Sequence, residues 1–282
     1  MPELPEVETT ARLIDQATKG ARVESALAPG INALKSYDPP LSAIEGHTIT
    51  GVRRRGKLFV IDFDNDLTAL IHLMSAGRLQ LFDTRASLRD KTSRLLIRLA
   101  GGRELRLREF GTKQRAWVKL LRTDQLETEE TLAALGPEAW PDPPEMTALL
   151  DGSPRPLYAA LRDQHVIAGI GRSWVDEILH AAKLSPFKRG NDLDPGEAER
   201  LRTATIETLT RALDHYEDAI KLPIPDKLPM PLTVHRRNGE PCPRCGDRLE
   251  AVFYEDYVMC YCPACQTDGK LMKDRRLSRL LK

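Results

Sequence analysis

Residues 163–179 read DQHVIAGIGRSWVDEIL and join two segments with helical periodicity, 154–166 and 173–184. Gly169 and Gly171 lie in the join, followed by Arg172. Glycines let backbone amides approach a phosphate, and a helix that starts here points the positive end of its dipole at the anion. The stretch therefore predicts a helix–turn–helix unit with a phosphate-binding turn, and the alternative is a plain helix hairpin.

Upstream of this unit, residues 49–121 change to short β-like runs. Six runs of about five to seven residues, such as KLFVIDF at 57–63, are split by Gly, Asp and Asn. This pattern is typical of a meander or a sandwich. Before it, Val7, Ala11 and Ile14 recur at helical spacing and predict a leading helix after Pro5.

Proline-rich segments divide the chain. ALGPEAWPDPPEMT at 134–147 is the linker candidate, and KLPIPDKLPMPL at 221–232 is a second connector. We predict an α+β multidomain protein: an N-terminal β-sandwich domain with a leading helix (1–135), a linker (136–153), a helical domain (154–232) and a cysteine-bearing module (233–282).

Composition sets limits on location and partners. The chain has 282 residues, 41% hydrophobic and 29% charged, and a net charge of only +1. It has no apolar run of ~18 residues and no signal-peptide pattern, so we expect a cytoplasmic protein. Basic residues are concentrated in 51–59, 103–122 and 270–282. Each basic run is either part of a nucleic-acid surface or simply a solvated face.

All five cysteines lie in the last forty-one residues. CPRC supplies Cys242 and Cys245, and CPAC supplies Cys262 and Cys265. Sixteen residues separate the two pairs. Two C-x₂-C knuckles at this spacing predict one tetrahedral structural Zn²⁺. The alternative, a pair of disulfides, is unfavourable in a cytosolic chain and strained at this spacing. Cys260 is expected to be a free thiol on the hairpin.

The chain resembles the formamidopyrimidine-DNA glycosylase and endonuclease VIII family. MPELPEVE at 1–8, RRGK at 54–57, residues 163–179 and the four-cysteine finger follow the family's order, and PELPE is closer to the formamidopyrimidine branch. The resemblance implies a β-sandwich with a leading helix, a helix–two-turn–helix domain and a zinc finger hairpin. It also implies that DNA lies in a cleft between the lobes, and that members excise oxidised bases and then cut the strand.

The resemblance gives the N-terminus its chemistry. If Met1 is removed, Pro2 presents a secondary amine, and an α-amino group titrates near ~8. Its attack on the sugar C1′ would expel the base and leave an iminium linkage that permits elimination. Glu3 matches the family's proton shuttle, and Glu6 returns to the same face of the first helical turn. The alternative for both acids is stabilisation of that turn.

The resemblance also implies DNA contacts. Lys57 matches a lysine that reaches the phosphate and the leaving side of the lesion, and His72 matches a phosphate contact. Phe110 keeps an aromatic wedge, and Gly169 and Gly171 form the turn. The alternatives are a surface lysine at 57 and a satisfied core histidine at 72.

Three phosphate-binding positions depart from the family. Arg172 replaces an asparagine, Tyr158 aligns with a lysine, and Tyr257 stands where the finger has an arginine. Arg244 or Arg248 are the candidates to replace that last charge.

The wedge departs as well. A family methionine falls at Ser75, with Met74 beside it, and a family arginine falls at Glu109, which would repel DNA if it pointed inward. The 221–232 segment looks too short and proline-rich to cap a lesion. These departures predict a preference for abasic or single-stranded sites over duplex 8-oxoguanine, because extrusion is cheapest at open sites.

The sequence therefore predicts a monomeric bifunctional DNA glycosylase and AP lyase of base excision repair, acting on oxidised bases or abasic sites. In a bacterium it would be associated with the nucleoid. The alternative is a catalytically weak relative that binds damaged or abasic DNA.

Overall fold

A computed structural model describes residues 2–30, 32–87, 89–111 and 113–272. Most of the basic run at 270–282 lies outside these residues. The chain divides into two compact units: residues 1–134 with 213–229, and residues 135–212 with 230–282. No helix in the described ranges is both long and apolar enough to cross a membrane.

The first unit begins with helix α1, Leu4–Thr18. Its apolar positions share one face, and Leu4, Val7 and Ile14 are fully buried. That face packs on the strands that follow, as the 3.6-residue period requires. The predicted leading helix is confirmed, and it starts one residue before Pro5.

Two four-stranded antiparallel sheets complete this unit. One has the order β2-β3-β4-β8 and the other β1-β6-β7-β5. The strands are β1 Val23–Leu27, β2 Ile49–Arg55, β3 Leu58–Phe63, β4 Leu67–His72, β5 Gly77–Phe82, β6 Ser93–Leu99, β7 Glu104–Glu109 and β8 Trp117–Arg122. The six predicted runs all form strands. Sequence analysis missed β1, and it treated most of β2 only as a basic run.

The second unit carries the predicted helices. They are α4 Leu157–Arg162, α5 Arg172–Ala181 and α6 Pro195–Ala219, preceded by the short helix α3 Met146–Leu149. Another short helix, α2 Glu130–Ala133, lies at the end of the first segment of the first unit. Helices α4 and α5 contact each other across the 163–171 turn. One of the three chain positions at which the units change, 212/213, falls within α6.

The cysteine module is a small hairpin. Strands β9 Glu250–Phe253 and β10 Val258–Tyr261 pair antiparallel, and α7 Pro263–Gln266 follows. Its buried cluster is small and consists of Val234, Leu249 and three of the cysteines. A core of this size needs a further stabilising element, which a metal ion can supply. The predicted α+β fold with a sandwich, a helical region and a finger hairpin is confirmed.

The predicted domain limits stay predictions, but one segment differs in its packing. Residues 213–229 associate with the first unit rather than with the helical region. Ile224 is buried there, and its carbonyl accepts a 2.5 Å hydrogen bond from Gln80 of β5. Asp226 accepts from Arg108 of β7 at 3.0 Å. The connector predicted at 221–232 is therefore partly packed against a sheet.

Candidate functional site

The start of α1 is fixed by buried polar contacts. Glu3 and Glu6 are each 2% exposed and form a capping box, in which the Glu3 N–H donates to Glu6 Oε2 at 2.8 Å. The other carboxylate oxygen, Oε1, accepts from the Tyr216 hydroxyl at 2.7 Å. Burial and the Glu6 carboxylate raise the pKa of Tyr216, so the hydroxyl keeps its proton and donates. The backbone next to Pro2, itself buried, is thus tied to the fold.

Lys57 lies in the turn between β2 and β3 and is only 6% exposed. Gly56 before it has φ +58, a conformation that suits glycine in so tight a turn. The turn places Lys57 next to Leu58, which pairs with His72 of β4. The pairing therefore brings Lys57 close to His72.

His72 is neutral at physiological pH. Burial, and secondly the Lys57 charge, lower its pKa to about 4. Its Nδ1 accepts a 2.8 Å hydrogen bond from the Met74 N–H, which leaves the proton on Nε2. The ring stacks on Trp117 with centroids 5.7 Å apart. A phosphate contact at His72 would therefore use a neutral N–H donor held in one orientation.

Part of the basic run at 51–59 is used inside the fold. The Arg54 side chain is 5% exposed and pairs with Glu8 of α1 at 2.9 Å. Arg53 pairs with Asp62 at 3.2 Å and stays half exposed. Since alternate residues of β2 face opposite sides, only some of these arginines face solvent. The charge count from sequence overstates the surface that Arg54 could supply.

Glu109 does not face solvent, so it does not act as the acidic wedge residue that the sequence suggested could repel DNA. It is 1% exposed, its Oε2 accepts from the Ala116 N–H at 2.7 Å, and it pairs with the buried Arg94 at 3.7 Å. The carboxylate is neutralised inside the β-unit, so it cannot repel DNA at the surface. Phe110 next to it is partly exposed, and the Arg108 guanidinium lies 4.7 Å from its ring centroid.

The turn before α5 is closed by Gln164. Gly169 has φ +107, and its N–H already donates to Gln164 Oε1 at 3.0 Å. A phosphate at Gly169 would have to replace that bond. Gly171 is the N-cap of α5, and Arg172 is its first helical residue with a side chain 42% exposed.

The four predicted metal ligands converge. The sulfur atoms of Cys242, Cys245, Cys262 and Cys265 all lie within 4.8 Å of one another. Two of the separations are 3.9 Å and 3.5 Å, close to the ~3.8 Å between sulfurs around a tetrahedral zinc at ~2.3 Å. They are far above a bonded S–S distance, so the residues fit a metal better than disulfides.

Cys260 lies on β10, outside this set. It is 1% exposed, and burial raises the pKa of its thiol to about 11. Its sulfur accepts from the Arg236 N–H at 3.2 Å. The fifth thiol is therefore a protonated core residue.

Helix α5 holds the segment that leads into the finger. Glu177 accepts from the backbone N–H groups of Thr233, Val234 and His235 at 2.8–3.1 Å. Beside it, Asp176 pairs with the His235 ring at 2.6 Å. These two acids, in the WVDE portion of the opening stretch, fix the finger to the helix.

Sequence reasoning missed several partners. Tyr216 is 210 positions from Glu6, and no local pattern could relate them. His180, whose Nε2 lies 3.1 Å from the Cys242 sulfur, carried no signal beyond its place on an α5 face.

Two family models match separate parts of the chain. Residues 1–113 match the model of the formamidopyrimidine-DNA glycosylase N-terminal domain, and residues 135–223 match that of the H2TH domain of the same enzymes. The formamidopyrimidine-DNA glycosylase of Moorella thermoacetica is 34% identical over 263 residues, 89% of this chain and 94% of that protein. The chain belongs to the formamidopyrimidine-DNA glycosylase family.

Solved structures of the family share the fold. The Lactococcus lactis Fpg in complex with DNA containing N7-benzyl-Fapy-dG has a TM-score of 0.84 at 27% identity, covering 94% of this chain and all of that one. The complex of Lactococcus lactis Fpg with DNA containing an abasic site has a TM-score of 0.83 at 26% identity, covering 94% and 99%.

Proposed function

We infer that the protein is a bifunctional DNA glycosylase and AP lyase of base excision repair, with Pro2 as nucleophile after removal of Met1. The observation that carries this is the buried first turn of α1, where Glu3, Glu6 and Tyr216 fix the backbone beside Pro2. Chain termini are usually frayed. A terminus tied down by buried acids is suited to holding a reactive amine.

The reaction needs a terminal proline because an internal proline nitrogen is an amide without a basic lone pair. The amine lone pair forms a bond to C1′ as the bond from C1′ to the base breaks, and the base leaves with that electron pair and takes up a proton. Opening of the sugar ring gives the iminium, which acidifies the C2′ proton. Loss of that proton expels the 3′ phosphate by β-elimination, and δ-elimination follows at the 5′ side.

The buried groups divide these tasks. Both Glu6 carboxylate oxygens accept hydrogen bonds within the fold, so Glu6 positions the turn. Glu3 is the carboxylate next to the amine and is the candidate for moving protons. Lys57, buried beside the neutral His72, supplies a fixed positive charge for a phosphate.

Zinc fits the cysteine cluster and would be held by Cys242, Cys245, Cys262 and Cys265. Its contribution would be to fold the finger, since four thiolates leave no open coordination position. The arrangement thus supports one structural ion per chain. We propose DNA as the partner, bound by a monomer, as the sequence predicted.

The substrate preference predicted from sequence keeps only part of its basis. Glu109 is buried and paired, so the acidic-wedge argument is removed. Tyr257 still stands in the finger where the family has an arginine. We retain a preference for abasic or single-stranded sites over duplex 8-oxoguanine on that position alone.

Borohydride trapping on a lesion panel tests the proposal. Protein shown by intact mass to lack Met1 should give a covalent adduct with abasic DNA, and the same protein retaining Met1 should give none. Pro5→Ala is the matched control, because it changes the other proline of the motif and leaves the terminal amine. Equal trapping with Met1 retained would overturn the mechanism. DNA binding without any adduct would favour the catalytically weak relative.

A further inference from the structure

The tip of the β9–β10 hairpin carries an aromatic stack with two arginines on it. Tyr254 and Tyr257 stack with centroids 4.3 Å apart and ring planes at 12°. The guanidinium carbon of Arg162, at the end of α4, lies 4.3 Å from the Tyr257 centroid. That of Arg172, at the start of α5, lies 5.1 Å from the same centroid. Both distances are within the cation–π range of ~6 Å.

Tyr158 of α4 forms the base of this cluster. It is 4% exposed and stacks on Tyr257 with centroids 5.7 Å apart. Arg162 follows one helical turn later, with its guanidinium carbon 5.3 Å from the Tyr158 centroid. Two helices and the finger hairpin thus meet around one tyrosine ring.

Three positions that depart from the family pattern therefore meet at one ring, because Tyr158 and Arg172 each contact Tyr257. Taken singly, Tyr158 and Tyr257 look like two lost cations and Arg172 like a gained one. Together with Arg162 they form one unit, in which tyrosine rings orient arginines. Stacking on a ring fixes the plane of a guanidinium and leaves its edge N–H groups available to an anion.

One anion already occupies that edge. Arg172 Nη1 donates to the Asp256 main-chain oxygen at 2.6 Å, and its Nη2 pairs with the Asp256 carboxylate. Asp256 is 68% exposed, so the pair faces solvent. Arg162 makes no ion pair with any residue in the described ranges. The cluster therefore retains one uncompensated positive charge on its ring.

We propose that Arg172, backed by Tyr257 and Arg162, binds a nucleic-acid phosphodiester, and that Asp256 occupies this site as an internal competitor when DNA is absent. A carboxylate and a phosphate present similar pairs of oxygens to the guanidinium edge. An exposed ion pair is weak, so an incoming phosphate can replace it. The inference rests on the proposed function for DNA as the partner.

Replacement of Asp256 is the sharpest test. Asp256→Asn removes the competing charge and keeps the main-chain oxygen that accepts from Arg172. Glu255→Gln is the matched control: it removes the same charge one residue away, at an exposed side chain that forms no described ion pair. Near-UV circular dichroism of the tyrosines shows whether the stack is kept.

Affinity is measured by fluorescence anisotropy on duplex DNA with a tetrahydrofuran abasic analogue, across a salt series. We expect D256N to bind up to about fivefold more tightly at low salt, the equivalent of one exposed ion pair. The slope of log K against log salt should steepen by as much as ~0.9, one more net counterion released. E255Q should tighten binding less, and in an Arg172→Ala background D256N should change affinity no more than E255Q does.

The inference is overturned if D256N binds no more tightly than E255Q, or if its excess over E255Q persists without Arg172. The binding assay needs no chemistry, which separates the two proposals. The predicted affinity pattern without borohydride adducts overturns only the enzymatic mechanism. Normal adducts without the pattern overturn only the role of Asp256.

Discussion

Removing the Tyr216 hydroxyl should destabilise the N-terminal unit and slow its chemistry. The hydroxyl donates to Glu6 at 2.7 Å, and both residues are buried. Tyr216→Phe keeps the ring and its packing, so the change isolates one hydrogen bond. Glu6 in turn holds the N–H of Glu3, the residue that follows Pro2.

The magnitude follows from burial. A hydrogen bond to a charged group contributes ~1.5–3 kcal/mol. The Glu6 carboxylate is buried, so water cannot replace the lost hydrogen bond. A unit of about 150 residues shifts its Tm by ~2–4 °C per kcal/mol, so the transition should fall by roughly 3–12 °C. Loosening of the turn should lower the rate of adduct formation by about tenfold or more, because reacting groups tolerate little displacement.

Differential scanning calorimetry of the DNA-free protein and single-turnover trapping measure the two effects. Tyr37→Phe is the control, since that side chain is 86% exposed and the loss of its hydroxyl should change neither. If Y216F unfolds within 1 °C of Y37F and traps at the same rate, the hydroxyl does not fix the N-terminal turn.

Three further outcomes are expected. Glu109→Gln should lower the free energy of unfolding, measured in urea, by about 3 kcal/mol, because it leaves the Arg94 charge buried without its acid. A gain in DNA affinity at unchanged stability would contradict this. The pKa of His72 is lowered to about 4 in the fold, so protonation favours the unfolded chain. The free energy of unfolding should therefore fall by about 2 kcal/mol from pH 7 to pH 5. His72→Gln should lack this loss, and a pH profile identical to that of the wild type would argue against it. Cys245→Ser should lose the single metal ion found by elemental analysis and weaken DNA binding while the N-terminal transition remains, whereas metal-free wild type with full affinity would exclude a role for the ion.

Most helices and strands could be predicted from local patterns in the sequence. Strands β3 and β4 are short apolar runs, buried on both faces and bounded by Gly, Asp or Asn, and such runs are visible in the sequence. The helical period of α1 and α5 marks the buried face of each helix and is equally visible. The cysteine cluster could also be predicted, because each C-x₂-C pair is a local pattern. Strand β1 was missed because only its first residue is fully buried and the rest alternates weakly.

Long-range pairing could not be predicted. Whether Glu109 faces DNA or Arg94 depends on the register of β7, and a shift of one residue reverses the face of every side chain. Tyr158 and Arg172 both contact Tyr257, which lies 99 and 85 positions further along the chain. Each substitution looks like an isolated loss in the sequence, and only the fold shows that they share one ring.

The N-terminal unit is discontinuous in the chain, and this has a consequence for its synthesis. Its last segment, 213–229, emerges from the ribosome only after residues 135–212. At ~5–20 residues per second, the 95 positions from 135 to 229 take roughly 5–19 s to be made. During that time the nascent unit lacks Tyr216 and Ile224, so the amino terminus cannot reach its final buried setting. The N-terminal segment, although made first, reaches its final packing late.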